Sequence, residues 1–114
     1  MSVPPLQSYW RVVFYTTASG RSPVLDYIDT LPVLEQAKVR NAIRLLEEFG
    51  TELGLPDARP LKDKLWELRA GAHRLIYFAH VGHSFVILHA FHKHTRTTPK
   101  QDLDLALRRM GEYR

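Results

Sequence analysis

The sequence predicts an α+β fold, in which a small, twisted, mainly antiparallel sheet carries helices in the order β-α-α-β-β-β-α. Three observations predict it. Helical apolar spacing fills the first half, three strand-like segments crowd together after residue 64, and a proline-started helix ends the chain. Trp10-Arg11-Val12-Val13-Phe14-Tyr15 is aromatic and β-branched, as a first strand requires. Ser22 followed by Pro23 marks a cap and first helical turn, and Val24, Leu25 and Ile28 give the short helix an apolar side. Pro32 restarts the helix. Val39, Ala42, Ile43, Leu46 and Phe49 then form its stripe, Lys38, Asn41, Arg44, Glu47 and Glu48 fall mostly opposite, and Gly50 closes it.

The second half holds strand candidates at residues 65–69, 73–80 and 84–93. Ala70-Gly71-Ala72 and Val81-Gly82-His83 are short enough to be hairpin connections, which predicts an antiparallel meander. Thr98-Pro99-Lys100-Gln101 reads as a capping box with Thr98 at the cap and Pro99 as the first helical residue. Leu103, Ala106, Leu107 and Met110 line the helix that follows.

With 114 residues, 45% of them hydrophobic, the chain has material for one core, so residues 1–114 are expected to form a single domain. The absence of cysteine excludes a disulfide scaffold and thiolate chemistry and leaves only His and carboxylates as zinc ligands. Met1-Ser2-Val3-Pro4-Pro5 lacks the basic and apolar regions of a leader, and no run approaches the ~20 apolar residues of a membrane span. A cytoplasmic protein without a membrane partner is expected.

Charge is distributed unevenly. All six histidines and eight of the sixteen Lys and Arg residues fall between Arg59 and Lys100, a window with only two carboxylates, Asp63 and Glu67. Arg59, Lys62, Lys64, Arg69, Arg74, Lys93, Arg96 and Lys100 give it a formal +6, against −2 for residues 1–58 and zero for 101–114. Fixed positive charge beside groups that titrate near neutrality suits the binding of an anion and the movement of protons.

Leu61-Lys62, Leu65-Trp66-Glu67-Leu68-Arg69, His73-Arg74-Leu75-Ile76-Tyr77-Phe78 and the segment from Leu88 to Pro99 together resemble the RelE/HigB toxin superfamily, and within it the phage-derived HigB-like branch. The resemblance extends to Ser22-Pro23-Val24, Thr30-Leu31-Pro32 and the terminal helix with Asp102, Leu103, Ala106 and Arg108. It implies a RelE-like fold, a toxin that enters the ribosome and cuts mRNA, and a protein antitoxin, often of helix-turn-helix type. Two departures stand out. His94 and Thr97 occupy positions where the branch usually carries lysine, and His73 replaces a common tyrosine before Arg74. A ParE-like gyrase poison and a non-catalytic RNA- or antitoxin-binding remnant are the alternatives on the same fold.

RNA cleavage requires a base for the 2′-OH proton, cations for the charge that grows on the phosphate, and an acid for the 5′-oxygen; it requires no metal or other cofactor. Arg69 and Arg74 suit the phosphate because a guanidinium binds two oxygens and stays ionised. Lys93 offers a point charge and, beside other cations, an acid. His92 is the natural proton carrier. These four are the expected catalytic residues, with Lys62, Lys64, His94, Arg96 and Lys100 as substrate contacts. His80 and His83 flank a turn, and His89 in an apolar strand reads as a satisfied core histidine. Trp66 and Tyr77 read as core before base-stacking residues, and the i, i+2 pair His92 and His94 is not assigned a metal. Whether Arg69, Arg74 and His92 converge depends on strand register, which a sequence does not specify.

Overall fold

Residues 9–113 are described here from a computed structural model, so the Met1–Pro5 leader reading lies outside the described residues. The order is β1 (Arg11–Phe14), α1 (Pro23–Asp29), α2 (Val33–Phe49), a 3₁₀ turn (Gly50–Glu52), β2 (Ala58–Pro60), β3 (Trp66–Ala70), β4 (His73–His80), β5 (Ser84–His92) and α3 (Lys100–Met110). The strands form one sheet in the order β1-β5-β4-β3-β2. The meander β3-β4-β5 is antiparallel, as its short connections require, and the helical crossover brings β1 back parallel to β5. The chain thus has the α+β architecture that the sequence predicts. None of its described helices is long and apolar enough to cross a membrane.

Period-2 alternation along the strands gives the sheet two apolar faces. On one, Val24, Ile28, Val39, Ala42 and Leu46 of α1 and α2 pack on Leu68, Leu75, Tyr77, Phe85 and Ile87. On the other, Leu65, Ile76, Phe78, Val86, Leu88 and Phe91 are covered by Ala106, with Leu103, Leu107 and Met110 around it. A β-bulge interrupts the alternation. Ile76 lies opposite His89 and Tyr77 opposite Ile87, so Leu88 is an extra residue and β5 continues out of phase. Beyond the bulge His89 faces α3, where its Nε2–H donates to Asp102 at 2.6 Å, and Ala90 faces the helix pair. His89 is therefore the satisfied histidine expected from its apolar strand.

Three details differ from the sequence reading. The short edge strand β2 is unexpected, because three residues ending in proline carry no strand signal; at a sheet edge the missing proline N–H is tolerated. The strand expected at residues 65–69 is displaced by one residue and ends at Ala70. Helix α3 begins at Lys100 with Pro99 as its cap residue, and no side chain caps it. The capping box does not form because Pro99 takes the cap position and Thr98 lies one residue outside it, its hydroxyl donating to Glu67 Oε2 at 3.0 Å. By contrast Ser22 caps α1 as expected, accepting from the Leu25 amide, with Pro23 in the first turn.

Gly50 ends α2 at φ +59° with the Trp10 indole lying against its α-carbon. A β-carbon there would stand 2.0 Å from Trp10 Nε1, and the ring is held in place by stacking on Phe85 at 4.4 Å. Gly50→Ala is expected to cost about 2–4 kcal/mol through positive-φ strain and overpacking. Gly54, with open space where its β-carbon would stand, is the matched control. Equal urea midpoints for the two alanine variants would contradict this account.

Candidate active site

The site forms where three neighbouring strands bring charged residues onto the α3 face of the sheet. Glu67 and Arg69 share that face of β3 at i, i+2. Register places Arg59 of β2 opposite Glu67, and Arg74 of β4 opposite Arg69. The Glu67 side chain is 1% exposed, so its charge is costly unless it is paired. Arg59 Nε donates to its Oε1 at 3.0 Å, Thr98 Oγ1 donates to its Oε2 at 3.0 Å, and Arg69 Nε and Arg74 Nε stand 3.8 and 3.9 Å from Oε1. The last two lie beyond hydrogen-bond reach. Both Nε–H groups are buried without a partner among the described residues.

Arg74 is further held by its own hairpin, its Nη1 donating to the carbonyls of Gly71 at 2.7 Å and His73 at 2.9 Å. Burial lowers its pKa from the ordinary arginine value, Glu67 opposes that shift, and Arg69 and Arg59 add to it. Lys93 completes the group. Its amide donates to the Ala72 carbonyl at 2.7 Å. Its ammonium is held below the ordinary lysine value by desolvation and then by Arg74, with Arg69 and Arg59 contributing and Glu67 acting the other way. Four cations around one carboxylate leave a net charge of +3. A purely structural ion-pair network would balance its charges, whereas this one is left short of anions and partly open to solvent.

Of the four residues expected to act in catalysis, the fold gathers Arg69, Arg74 and Lys93. It separates His92 from them. The bulge turns His92 to the opposite face, directly across from His73, with the two rings edge-to-face at 5.2 Å. His73 is 2% exposed and hydrogen-bonded at both ring nitrogens, to Tyr27 at 2.6 Å and Glu35 at 2.5 Å. A carboxylate only accepts, so Nε2 carries the proton towards Glu35, and in the neutral ring Nδ1 accepts from the Tyr27 hydroxyl. His94 lies beside His92, ring centroids 4.6 Å apart. No group of three or more His, Asp or Glu side chains suited to a metal ion occurs among the described residues.

The expected substrate contacts are spread more widely. Lys62 and Lys64 are exposed in the loop entering β3, at the opposite end of that strand from Arg69. Lys64 borders a cavity of about 250 Å³ lined by Trp66, Tyr77 and Phe85 on the α1–α2 side, which puts both expected aromatics away from the arginines. Arg96 is exposed in the 93–99 loop, and Lys100 is exposed but bonded to Asp104 at 2.7 Å. Arg59, Glu67 and Thr98 are not among the expected site residues, although a strand pairing of Arg69 and Arg74 with Glu67 is an alternative the sequence leaves open and the structure brings about. Glu67 did carry a signal: a single carboxylate two residues before Arg69 in a strand shares its face. Arg59 and Thr98 carried none, since their positions depend on β2 and on the loop path.

Known proteins are similar to this chain in sequence and in fold. The family described as "Phage derived protein Gp49-like (DUF891)" matches residues 26–111, a span that contains every residue of the cluster. No curated protein matches the chain. Among solved structures, the crystal structure of the toxin–antitoxin complex RelBE2 from Mycobacterium tuberculosis is similar at 27% identity and a TM-score of 0.52, over 75% of this chain and 99% of that one. The chain therefore belongs to the phage-derived Gp49-like family and has the fold of the RelE-type toxins its motifs resemble.

Proposed function

We propose that this protein is the toxin of a toxin–antitoxin pair and acts as a ribosome-dependent, metal-independent endoribonuclease on mRNA. The observation that carries the reading is the cluster of Arg59, Arg69, Arg74 and Lys93 around one buried carboxylate, a net charge of +3 among the described residues of the cluster. The similar solved structure is a toxin–antitoxin complex, which supports a protein antitoxin here, with the helix-turn-helix type following from the motif resemblance. Action on mRNA places the protein in the cytoplasm.

In this mechanism the scissile phosphate lies against the arginines. The 2′-oxygen bonds to phosphorus and releases its proton to solvent, while the phosphorus–O5′ bond breaks and O5′ takes a proton. Arg74 and Arg69 stabilise the charge that grows on the non-bridging oxygens. Lys93 is the acid for O5′, because its ammonium stands beside the same phosphate position and gives up its proton more readily than an ordinary lysine. The proton-transfer role expected of His92 passes to Lys93, since His92 faces the other way. Lys62, Lys64, His94, Arg96 and Lys100 hold flanking nucleotides or ribosomal RNA.

Expression followed by mapping of cellular mRNA ends tests the reading. In-frame cuts ending in 2′,3′-cyclic phosphate and 5′-hydroxyl are expected; DNA breaks would indicate a ParE-like gyrase poison, and neither would indicate a non-catalytic remnant. On ribosome-bound mRNA, Arg74→Ala should cost ~10²–10³ in rate, and Lys93→Ala ~10²–10⁴. His92→Ala should leave the rate close to parental. The parental rate should fall as pH rises through the Lys93 pKa, because the acid must be protonated, and that limb should vanish in Lys93→Ala. Near-parental cleavage by Arg74→Ala would remove the central residue from the mechanism.

A second measurement addresses binding. Charge removal at Lys62, Lys64, Arg96 or Lys100 should weaken binding to ribosomes and reduce the salt slope by about one unit or less for each phosphate that is no longer neutralised. Lys100, already paired with Asp104, should show the smallest effect. An unchanged slope in all four single variants would exclude these residues as phosphate ligands.

A further inference from the structure

We propose that Glu67 is the positioning residue of this site: its buried carboxylate sets where Arg59, Arg69 and Arg74 meet a phosphate, and through Thr98 it holds the 93–99 loop in place beside them. This inference rests on the function proposed above. Glu67 is 1% exposed, so it does not reach the RNA and is not the base of the reaction. It acts through the groups it touches.

Arg69 and Arg74 are directly opposed on paired strands, an arrangement in which like charges repel. Glu67 stands between them and offsets the repulsion, with both Nε atoms within 4 Å of its Oε1. With each Nε buried near the carboxylate and no side-chain bond to the outer nitrogens of Arg69 among the described residues, those nitrogens and Nη2 of Arg74 are the groups left to meet a ligand, Nη1 of Arg74 being held by Gly71 and His73. The second oxygen has a different task. Oε2 accepts from Thr98, the residue just before the cap of α3, which fixes the end of the segment that begins at Lys93. A merely stabilising core residue at position 67 has no need of charge, because apolar residues fill such positions as well as a buried ion pair or better.

The test uses Glu67→Gln, Glu67→Asp and Thr98→Val in the full chain, with two readouts. The first is single-turnover cleavage of ribosome-bound mRNA against pH. Glu67→Gln is expected to lower the maximal rate ~10–10²-fold, as a misplacement near 1 Å does, with little change in the substrate concentration at half-maximal rate. It should also move the basic limb to lower pH, because the negative charge that raises the Lys93 pKa is gone. Glu67→Asp retains the charge, so it should restore the limb while the rate stays low. The second readout is NMR titration of Lys93 in the free protein, where Glu67→Gln should titrate at lower pH than the parent.

A folded Glu67→Gln with parental rate and parental pH limb overturns the proposal. If the parent itself does not cut mRNA, the proposed function fails, and the Lys93 titration still decides the placement of Glu67: coincident curves overturn it. If Glu67→Gln does not fold, Thr98→Val decides. It loses only the loop tether, so a lower maximal rate with an unmoved pH limb supports the proposal, and a parental rate overturns it.

Discussion

One extra residue in β5 determines which side chains reach the candidate site. Leu88 has no partner on β4, so the alternation of β5 shifts by one beyond it. Without the bulge, His92 would share the arginine face and Lys93 would turn towards α1 and α2. With it, Phe91 packs under α3, His92 joins His73, and Lys93 comes to the cations of β2, β3 and β4. The bulge also places His89 against α3, and the His89–Asp102 bond, together with Arg109 Nη1 donating to the Leu88 carbonyl at 2.7 Å, ties that helix to the irregular strand. Helix docking and the choice of which β5 side chain joins the charged cluster thus depend on a single irregularity.

The charged cluster depends on a different balance. Three arginines and a lysine on one sheet face repel one another, and Glu67 alone compensates them. Its burial strengthens that compensation, since a carboxylate shielded from water acts through a lower effective dielectric on the cations around it. The cations stay partly exposed, so the excess charge is directed to solvent. The result is a surface with excess positive charge held close together, which would favour an anion such as the phosphate of the proposed substrate.

Much of the fold was legible in the sequence. The α2 stripe from Val39 to Leu46, the Ser22-Pro23 start, the Gly50 stop and the two short hairpins each rest on local rules of period, capping and turn chemistry and form as expected, whereas Phe49 and Leu25, counted on the apolar sides of α2 and α1, are exposed. The failures share a physical origin in non-local partners. Thr98 satisfied every local condition for a cap, yet the helix begins one residue later and its hydroxyl donates to a buried carboxylate 31 residues earlier in the chain. Arg59 joins the site only because β2 pairs along β3, and its own segment carries no pattern. Arg69, Arg74 and Lys93 were proposed from residue chemistry and motif, and His92 from its titration range alone; the register that turns His92 to the other face is set by the bulge, which no local pattern in the sequence marks.

The departures from the family pattern fall outside the cluster. His94 and Thr97, where the branch usually carries lysine, are exposed in the loop after β5, while Arg69, Arg74 and Lys93, which follow the pattern, surround Glu67. Losing charge at an exposed loop position weakens a long-range attraction that salt already screens. It leaves intact the short-range field around the buried carboxylate. The other departure, His73, lies on the far face with both ring nitrogens satisfied by Tyr27 and Glu35, so it is absorbed by packing that does not touch the arginines. A decayed remnant would be expected to lose charge first where unpaired charge is most costly, at the partly buried arginines. The substitutions lie instead in the exposed loop and on the opposite face, so the arginine cluster around Glu67 keeps its charge.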